Sequence, residues 1–311
     1  MQTLLLEDGL IVLLGAIVLD ILFGEPRTYF HPAYLMRRSA VYFEPAFRKI
    51  GNRKLGGALL LLTISISFVV PAALILYFLL PFRLIYVLFS LVLFKYTFSV
   101  SKLSEEIMQI TEPLEAGNVD EARVFAAKFT KSDLSGINES QICSVVIEKI
   151  SSRLVNDVVS PFLYFSIFGV LAPFLTRVVA NMDSIFGQRN RKNYEFGKSI
   201  ALIHSIFNYL PSRLSSGLIY ISAELLNYRV SSLSLRKLRS IPESANIGWP
   251  IAAISSSLNL KLEKPGLHVV NESGFEPTVR DVKRATRIYY ISFYTMLILA
   301  IVLMTIVLYF I

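Results

Sequence analysis

The sequence predicts an all-α, polytopic integral membrane protein, and this prediction rests on its composition. Of its 311 residues, 54% are hydrophobic and 17% are charged, whereas a soluble domain carries about a quarter charged residues. The apolar residues lie in long runs, which are typical of membrane spans. The net charge of +8 fits basic loops facing anionic lipid. Nucleic-acid binding is not expected, because no basic stretch is interleaved with aromatic residues.

Four apolar runs predict full membrane crossings, at 10–23, 57–80, 84–100 and 289–311. Each approaches the ~20 residues that a helix needs to cross a bilayer. The first run is short and contains Asp20, and the third contains Lys95. No Lys or Arg precedes the first run and no small-residue cleavage site follows it, so we expect a retained span rather than a signal peptide.

Two further apolar stretches, 158–180 and 199–226, contain polar residues and helix breakers, including Pro161 and Arg213. Such groups are tolerated at membrane depth only where they face protein or a wet cavity. We therefore predict broken or re-entrant segments, with single crossings as the alternative. Re-entrant segments place every basic loop in the cytoplasm and the N-terminus outside, in agreement with the positive-inside rule.

The two most basic loops define the cytoplasmic side of the predicted topology. Residues 24–56 carry seven Lys or Arg against two acids, and residues 227–288 carry ten against five. We expect one membrane domain over 1–311, with a helical cytoplasmic insertion at 101–157 and a cytoplasmic loop region at 227–288. The expected location is the cell membrane.

The most informative polar stretch, 181–190, reads Asn-Met-Asp-Ser-Ile-Phe-Gly-Gln-Arg-Asn. It lies where a predicted membrane segment meets the cytoplasm, and it combines a carboxylate, carboxamides and a basic group. Oxygen ligands hold Mg²⁺ and cations hold phosphate, so this set can bind a metal-bound phosphate. The alternative is an ordinary helix end, with Asn181 or Asp183 as its cap.

Three other stretches contain residues that can carry chemistry. In 208–214, Arg213 needs an anion or a carbonyl partner, because an isolated charge at membrane depth is costly; a structural pair is the alternative. In 244–250, Trp249 is either a stacking platform for a planar ligand or an interfacial anchor. Glu148 precedes the polar residues that lead into the stretch beginning at residue 158.

Five motifs follow one another along the chain. They are Asp-x-x-x-Gly-Glu-Pro from Asp20 with His-Pro after it, Val-Val-Ser-Pro at 158–161, the 181–190 stretch, Asn-Tyr-Leu-Pro-x-Arg-Leu at 208–214, and Asn-Ile-Gly-Trp-Pro at 246–250. This series resembles the CobD/CbiB family of cobalamin-biosynthesis membrane proteins, the adenosylcobinamide-phosphate synthases. The resemblance extends from Asp20 to Leu262.

The resemblance implies an ATP-dependent ligase that joins aminopropanol, free or as its phosphate, to the ring D propionate of adenosylcobyric acid. ATP and Mg²⁺ are the implied cofactors, and the corrinoid is the implied substrate. Such a reaction activates the carboxylate as an acyl phosphate, which needs Mg²⁺ and cations at the transferring phosphate. The expected partners are the lipid bilayer and other corrinoid-pathway enzymes.

The resemblance supplies positions, and the chemistry suggests a role for each. The expected catalytic residues are Asp183, Glu148 and Arg213, and the expected Mg²⁺ ligands are Asp183, Asn181 and Glu148. The expected substrate-binding residues are Asn181, Ser184, Arg189, Asn190, Asn208, Tyr209, Asn246, Trp249 and His31. We expect the loss of Asp183 to reduce activity most, because it lies in the best-matched motif.

The chain departs from the family pattern mostly by losing acids. The pattern has a second glutamate four residues after Glu148 and another after Gly-Trp-Pro, where this sequence has Ser152 and Ile251. Acids that precede Asn-Tyr-Leu-Pro in the pattern are His204 and Ser205 here. Two alternatives to the synthase therefore stay open. One is a catalytically weakened homologue that acts as a membrane binding or assembly partner, and the other is a small transporter, which broken intramembrane segments also fit.

Overall fold

The described part of the chain is almost entirely helical and contains one short β-hairpin, as seen in a computed structural model. The structure describes residues 2–24, 32–130, 133–187, 194–228, 235–242 and 244–310, with side chains from residue 7 onward. The first nine helices are α1 (Gln2–Phe23), α2 (Pro32–Arg48), α3 (Arg53–Leu79), α4 (Arg83–Lys95), α5 (Lys102–Glu115), α6 (Val119–Thr130), α7 (Glu139–Arg153), α8 (Ser160–Phe168) and α9 (Leu171–Phe186). The remaining elements are α10 (Phe196–Phe207), α11 (Tyr209–Leu225), α12 (Leu235–Leu238), α13 (Gly248–Leu258), β1 (Leu262–Lys264), β2 (His268–Val270) and α14 (Val279–Phe310).

The chain forms two compact units, each made of separate sequence segments. The first unit consists of Met1–Val100, Ser160–Asn208 and Leu299–Ile311, and the second of Ser101–Val159 and Tyr209–Ile298. Helix α14 contributes to both. The predicted insertion at 101–157 and the predicted loop region at 227–288 both fall in the second unit.

Two of the four predicted membrane spans lie in helices of the required length and apolarity. These helices are α3 and α14, and the most apolar 18-residue window of each has a mean hydropathy of 2.6. Helix α1 has 22 residues but contains three acidic residues. Helix α4 has only 13 residues, about 20 Å, which is short of the ~30 Å hydrocarbon core. Membrane character is thus supported at two helices, and the count of four spans stays a prediction.

A buried ion pair joins α1 to α4 in the first unit. Lys95 Nζ lies 2.6 Å from Asp20 Oδ1, and the two side chains are 9% and 1% exposed. The other carboxylate oxygen of Asp20 accepts the backbone N–H of Val100 at 3.1 Å. An unpaired charge in such an apolar setting is costly, so these two helices stabilise each other's ionic residue.

Both predicted interruptions of the apolar stretches are present. Helix α8 is preceded by a π-helical segment at Leu154–Val159 and is followed by Gly169, whose φ of +74° stops the helix. Helix α10 ends before Asn208, and α11 begins at the next residue. Pro211 lies in the first turn of α11, where its missing N–H costs little.

The β-hairpin in the second unit was not predicted from the sequence. Its strands pair antiparallel, with Leu262 opposite Val270 and Lys264 opposite His268. Helix α7 holds this hairpin, because Gln141 Nε2 donates to Glu263 Oε1 at 2.9 Å and Ser144 Oγ accepts the N–H of the same residue.

Candidate functional site

In the first unit, a hydrogen-bonded cluster links α9 to α10. His204 Nδ1 lies 2.8 Å from Asp183 Oδ2, and Asn208 Nδ2 lies 2.8 Å from His204 Nε2. Because the amide of Asn208 donates to Nε2, the imidazole hydrogen is on Nδ1 and is donated to Asp183. Both ring nitrogens are therefore satisfied. We call Asp183, His204 and Asn208 the Asp183 cluster.

A close helix contact places this cluster. A Cβ at Gly197 would lie 1.8 Å from the backbone oxygen of Phe186, so only glycine lets the start of α10 approach the end of α9. The Asp183 side chain remains 25% exposed, and solvent can therefore reach part of a carboxylate whose orientation His204 fixes.

The other predicted residues of α9 point to a different side of the helix. Asn181 is buried, and its Nδ2 donates to the backbone oxygen of Arg177 at 3.0 Å. Ser184 Oγ accepts from Arg37 of α2 at 3.2 Å. Residues two apart on a helix do not face each other, so Asn181 and Asp183 do not converge on one ligand. Burial and the charge of Arg177 lower the pKa of Arg37.

In the second unit, α7 and β2 form another carboxylate–imidazole pair. His268 Nε2 lies 2.8 Å from Glu148 Oε1, and each side chain is 8% exposed. This pair is incomplete: His268 Nδ1 is buried without a hydrogen-bond partner in the described part of the chain. Glu148 Oε2 likewise has no partner among those residues.

The Glu148–His268 pair borders a cavity of about 240 Å³, which we call the α7 cavity. Among the described residues, the charged groups that line it are one carboxylate and two ammonium groups, besides the imidazole. The described lining residues are Thr130, Val145, Glu148, Lys149, Ser152, Pro242, Ser244, Ile247, Ile251, Lys264, Leu267 and His268. One carboxylate oxygen of Glu148, Oε2, has no hydrogen-bond partner among these described residues.

Four predicted substrate-binding or catalytic residues meet in the second unit, around Trp249. The guanidinium carbon of Arg213 lies 5.1 Å from the centre of the Trp249 ring, and that of Arg239 lies 4.5 Å from it. Arg213 also lies 3.4 Å from the ring centre of Tyr209 and donates to Asn246 Oδ1 at 3.3 Å. We call this group the Trp249 cluster.

The position of Arg239 depends on a second close contact. A Cβ at Gly248 would lie 2.1 Å from the backbone oxygen of Arg239, so the glycine of the Gly-Trp-Pro motif brings α12 against α13. Within the described residues, neither Arg213 nor Arg239 pairs with a carboxylate. Two guanidinium groups without acidic partners are a ready site for an anion.

Two neighbouring predicted residues, Asn208 and Tyr209, fall in different units, and three others lie outside the described residues. Asn208 binds His204 in the first unit, whereas Tyr209 begins the second. Three predicted residues, His31, Arg189 and Asn190, lie outside the described residues.

Several residues of these sites were not predicted, namely Arg37, Lys149, His204, Arg239, Lys264 and His268. The Pro-Gly at 265–266 followed by Val-Val is a turn signal next to a strand signal, and it indicates the hairpin that carries His268. No sequence signal pairs that histidine with a carboxylate 120 positions away.

The predicted metal site is only partly built from protein groups. No three His, Cys, Asp or Glu side chains converge on one point within the described residues. Mg²⁺ bound to nucleotide phosphates needs only one or two protein carboxylates, however. The partly exposed carboxylate of Asp183 fits such a site, in which phosphates supply most of the ligands.

Comparison with known proteins identifies close relatives of the chain. Residues 13–292 match the family described as "CobD/Cbib protein". A protein of Thermoplasma volcanium named "Probable cobalamin biosynthesis protein CobD" is 37% identical over 290 residues, which are 93% of this chain and 95% of the relative. Proteins of the same name from Thermoplasma acidophilum and Archaeoglobus fulgidus are 37% and 32% identical over 92% and 95% of this chain, and over 94% and 93% of their own lengths. No solved structure matches the chain.

Proposed function

The chain belongs to the CobD/CbiB family and has a role in cobalamin biosynthesis, and we propose that it is the amide-forming synthase of that pathway. In this proposal it couples aminopropanol, free or phosphorylated, to the ring D propionate of adenosylcobyric acid. The product is cobinamide or its phosphate. This proposal rests first on the family, whose motifs extend along most of the chain.

The structural observation that supports the synthase best is the Trp249 cluster. Arg213 and Arg239 lie over one aromatic ring without a carboxylate partner in the described part of the chain. A propionate or a transferring phosphate is the kind of anion that guanidinium groups bind. The tyrosine ring beneath Arg213 and the amide of Asn246 hold that guanidinium in place.

We propose a role for each cluster within its own unit. Arg213 and Arg239 hold the anionic group of the substrate and screen its charge. Asp183, oriented by His204, is the carboxylate that would hold Mg²⁺ together with nucleotide phosphates. Bound Mg²⁺ and ATP would supply the phosphoryl group that activates the propionate carboxylate.

The membrane character supports a location in the cell membrane. The proposed topology has several crossings, with the basic loops in the cytoplasm and the N-terminus outside. A membrane site for a large amphipathic corrinoid also allows contact with other corrinoid-pathway enzymes, which we propose as partners.

One observation favours a second candidate function, a catalytically weakened homologue that binds or assembles corrinoid enzymes. Ser152 and Ile251 replace glutamates of the family pattern, and both line the α7 cavity. If those glutamates are needed for chemistry, the chain retains binding groups but lacks turnover.

A reconstitution assay decides between the two candidates. Purified protein is incubated with adenosylcobyric acid, ATP, Mg²⁺ and aminopropanol or its phosphate, and the amide product is measured by mass spectrometry. Product that depends on ATP and on protein concentration supports the synthase. Corrinoid binding without product contradicts the synthase and supports the weakened homologue.

A further inference from the structure

Helix α2 of the first unit has an exposed face that is both apolar and basic. Leu35, Arg38 and Tyr42 follow one another at spacings of three and four residues, so they share one face of the helix. All three side chains are exposed, and Tyr42 is 78% exposed. A surface helix normally presents polar side chains to water, so this face suits a surrounding that is partly apolar.

The opposite face of α2 is covered by protein. Met36 and Ala40 are buried, and the sulfur of Met36 accepts from Asn181 Nδ2 of α9 at 3.6 Å. Arg37 donates to Ser184 of α9 at 3.2 Å. These contacts hold α2 against α9 with the face that carries Tyr42 turned outward.

The neighbouring helix α3 places α2 close to a membrane span. Helix α3 begins at Arg53, four residues after α2 ends, and it has the length and apolarity that a membrane crossing needs. A Cβ at Gly56 would lie 2.5 Å from the backbone oxygen of Phe47, so glycine lets the first turn of α3 approach the last turn of α2. A crossing α3 therefore places the end of α2 where the hydrocarbon core meets the headgroups.

The charges of α2 and of the turn after it are almost all positive. Residues 32–54 carry six Lys or Arg against one acid, and that acid pairs with Arg48 at 2.6 Å. Arg38, Lys49 and Arg53 are exposed and have no carboxylate partner within the described residues. Basic side chains beside a membrane are attracted by anionic lipid, so this charge is complementary to lipid phosphates.

We propose that α2 lies in the membrane interface and that its exposed face binds anionic phospholipid headgroups. Leu35 and Tyr42 enter the boundary between headgroups and acyl chains, where interfacial helices bury apolar side chains and where tyrosine is enriched. Arg38, Lys49 and Arg53 bind the lipid phosphates. This site is independent of the reaction proposed above, since none of these five side chains has a role in it.

A fluorescent label at residue 42 tests the depth of this face. The full-length Tyr42→Cys protein is labelled with a cysteine-reactive fluorophore and placed in phosphatidylcholine nanodiscs; native Cys143 is buried. A nitroxide on the lipid near its headgroup should quench this label at least about threefold more strongly than the same label at Asp120→Cys. Asp120 is the matched control because its side chain is 92% exposed in the predicted cytoplasmic insertion. Equal quenching at the two positions would overturn the proposal.

The lipid preference of the same label tests the basic side chains. Nitroxide-labelled phosphatidylglycerol should reach it with at least about tenfold higher apparent affinity than nitroxide-labelled phosphatidylcholine, since each basic residue near an anionic surface contributes on the order of fivefold. Arg38→Gln with Lys49→Gln should remove most of this preference and keep the quenching by phosphatidylcholine, which shows that α2 stays in place. Arg83→Gln is the matched control, because Arg83 is 54% exposed and pairs with Asp8 just after the other end of α3. No preference for phosphatidylglycerol, or equal losses in both variants, would reject the lipid site.

Two further outcomes would assign the face to another partner. If inorganic phosphate at constant ionic strength removes the preference, the basic side chains bind a free anion and the lipid site is rejected. If lipid does not quench the label and Tyr42→Ser converts a dimer into a monomer in native mass spectrometry, the face is a contact between two copies and the lipid site is again rejected. Product formation enters neither measurement, so the failure of this proposal and the failure of the synthase are distinguishable.

Discussion

Each unit of the molecule holds a carboxylate next to an imidazole at 2.8 Å, and the two pairs differ in completeness. In the first unit, Asn208 occupies the second ring nitrogen of His204. In the second, the corresponding nitrogen of His268 is buried without a partner in the described part of the chain. Buried polar groups are nearly always hydrogen-bonded, so an open pair beside a cavity indicates a place for a ligand.

A similar difference exists between one buried carboxylate of the first unit and two partly buried arginines of the second. In the first unit, Asp20 binds both Lys95 and the backbone of Val100. In the second, Arg213 and Arg239 lack a carboxylate among the described residues. The second unit also contains a satisfied charge, because Arg153 pairs with Glu106 and Asp157, but the two guanidinium groups of its Trp249 cluster have no carboxylate partner among the described residues.

The largest effect on stability is expected for the buried Asp20–Lys95 pair, because both carboxylate oxygens of Asp20 have partners. Lys95→Met leaves Asp20 charged and buried, and the loss of one partner of such a pair costs about 3–5 kcal/mol. Asp20→Asn combined with Lys95→Met removes both charges while keeping an acceptor for Val100, and it should recover most of that loss. Unfolding in a denaturing detergent series measures both variants.

A matched control uses an exposed ion pair of the same unit. Arg83 lies 2.8 Å from Asp8, but its side chain is 54% exposed, so Arg83→Met should leave the unfolding midpoint unchanged. A mild effect of Lys95→Met, equal to that of Arg83→Met, would show that closed clusters do not connect the helices of this unit.

Two interpretations of Asp183 make different predictions. The family resemblance implies a catalytic Mg²⁺ ligand, whereas the satisfied Asp183 cluster fits a purely structural residue. Asp183→Asn keeps an acceptor for His204 but removes the charge that Mg²⁺ requires. We expect normal membrane insertion and a loss of product formation of at least about a hundredfold, the scale of a lost metal or charge-stabilising contact. Quantified product formation per mole of inserted protein measures it.

A purely structural Asp183 gives another result. As a helix-end hydrogen-bonding residue, it would lose about 1 kcal/mol of stability on substitution and keep nearly normal turnover. Glu195→Gln is the control, because this carboxylate of the same unit is 43% exposed and lies 3.4 Å from Lys54. Normal turnover in Asp183→Asn would reject its catalytic assignment.

The open Trp249 cluster gives a smaller and more specific prediction. Arg239→Lys keeps the charge but loses the planar fork that binds carboxylate or phosphate through two hydrogen bonds. The KM for the corrinoid should rise about tenfold, equivalent to about 1.4 kcal/mol, with little change in kcat. Steady-state kinetics of Arg236→Lys, an exposed arginine on α12 just before Arg239, provide the reference. Equal KM values for the two variants would contradict an anion site at Trp249.

The sequence predicted the helices and their interruptions better than it predicted the sites. Helix breakers such as Gly169 and polar residues such as Asn208 act locally, so their effect can be read from neighbouring residues. Arg213, Tyr209, Asn246 and Trp249 were predicted as site residues from their motifs, but contacts among them were not predicted. In the structure Arg213 contacts the other three residues.

The open carboxylate pair could not be predicted, because it depends on long-range packing. His268 reaches Glu148 only because the hairpin is fixed to α7 by hydrogen bonds of Gln141 and Ser144. Arg239 reaches Trp249 only because no side chain at Gly248 keeps α12 away. Such packing brings residues that belong to no motif into a site, and the hydrophobic periodicity of the sequence does not predict them.

The smallest expected effect concerns Cys143, the only cysteine of the chain, which lies on the same helix as Glu148. Burial raises the pKa of its thiol to about 12, so at pH 8 the reactive thiolate is scarce and the side chain is also inaccessible. Maleimide should therefore leave the folded protein unlabelled and modify it after denaturation. Rapid labelling of the native protein would show that the interior of the second unit opens.

If Cys143 is not labelled in the native protein, a topology test becomes possible. Cysteines introduced at 188 and 243, which lie outside the described residues, should react only from the cytoplasmic side. Labelling at 188 from the outside alone would instead make 158–180 a simple crossing.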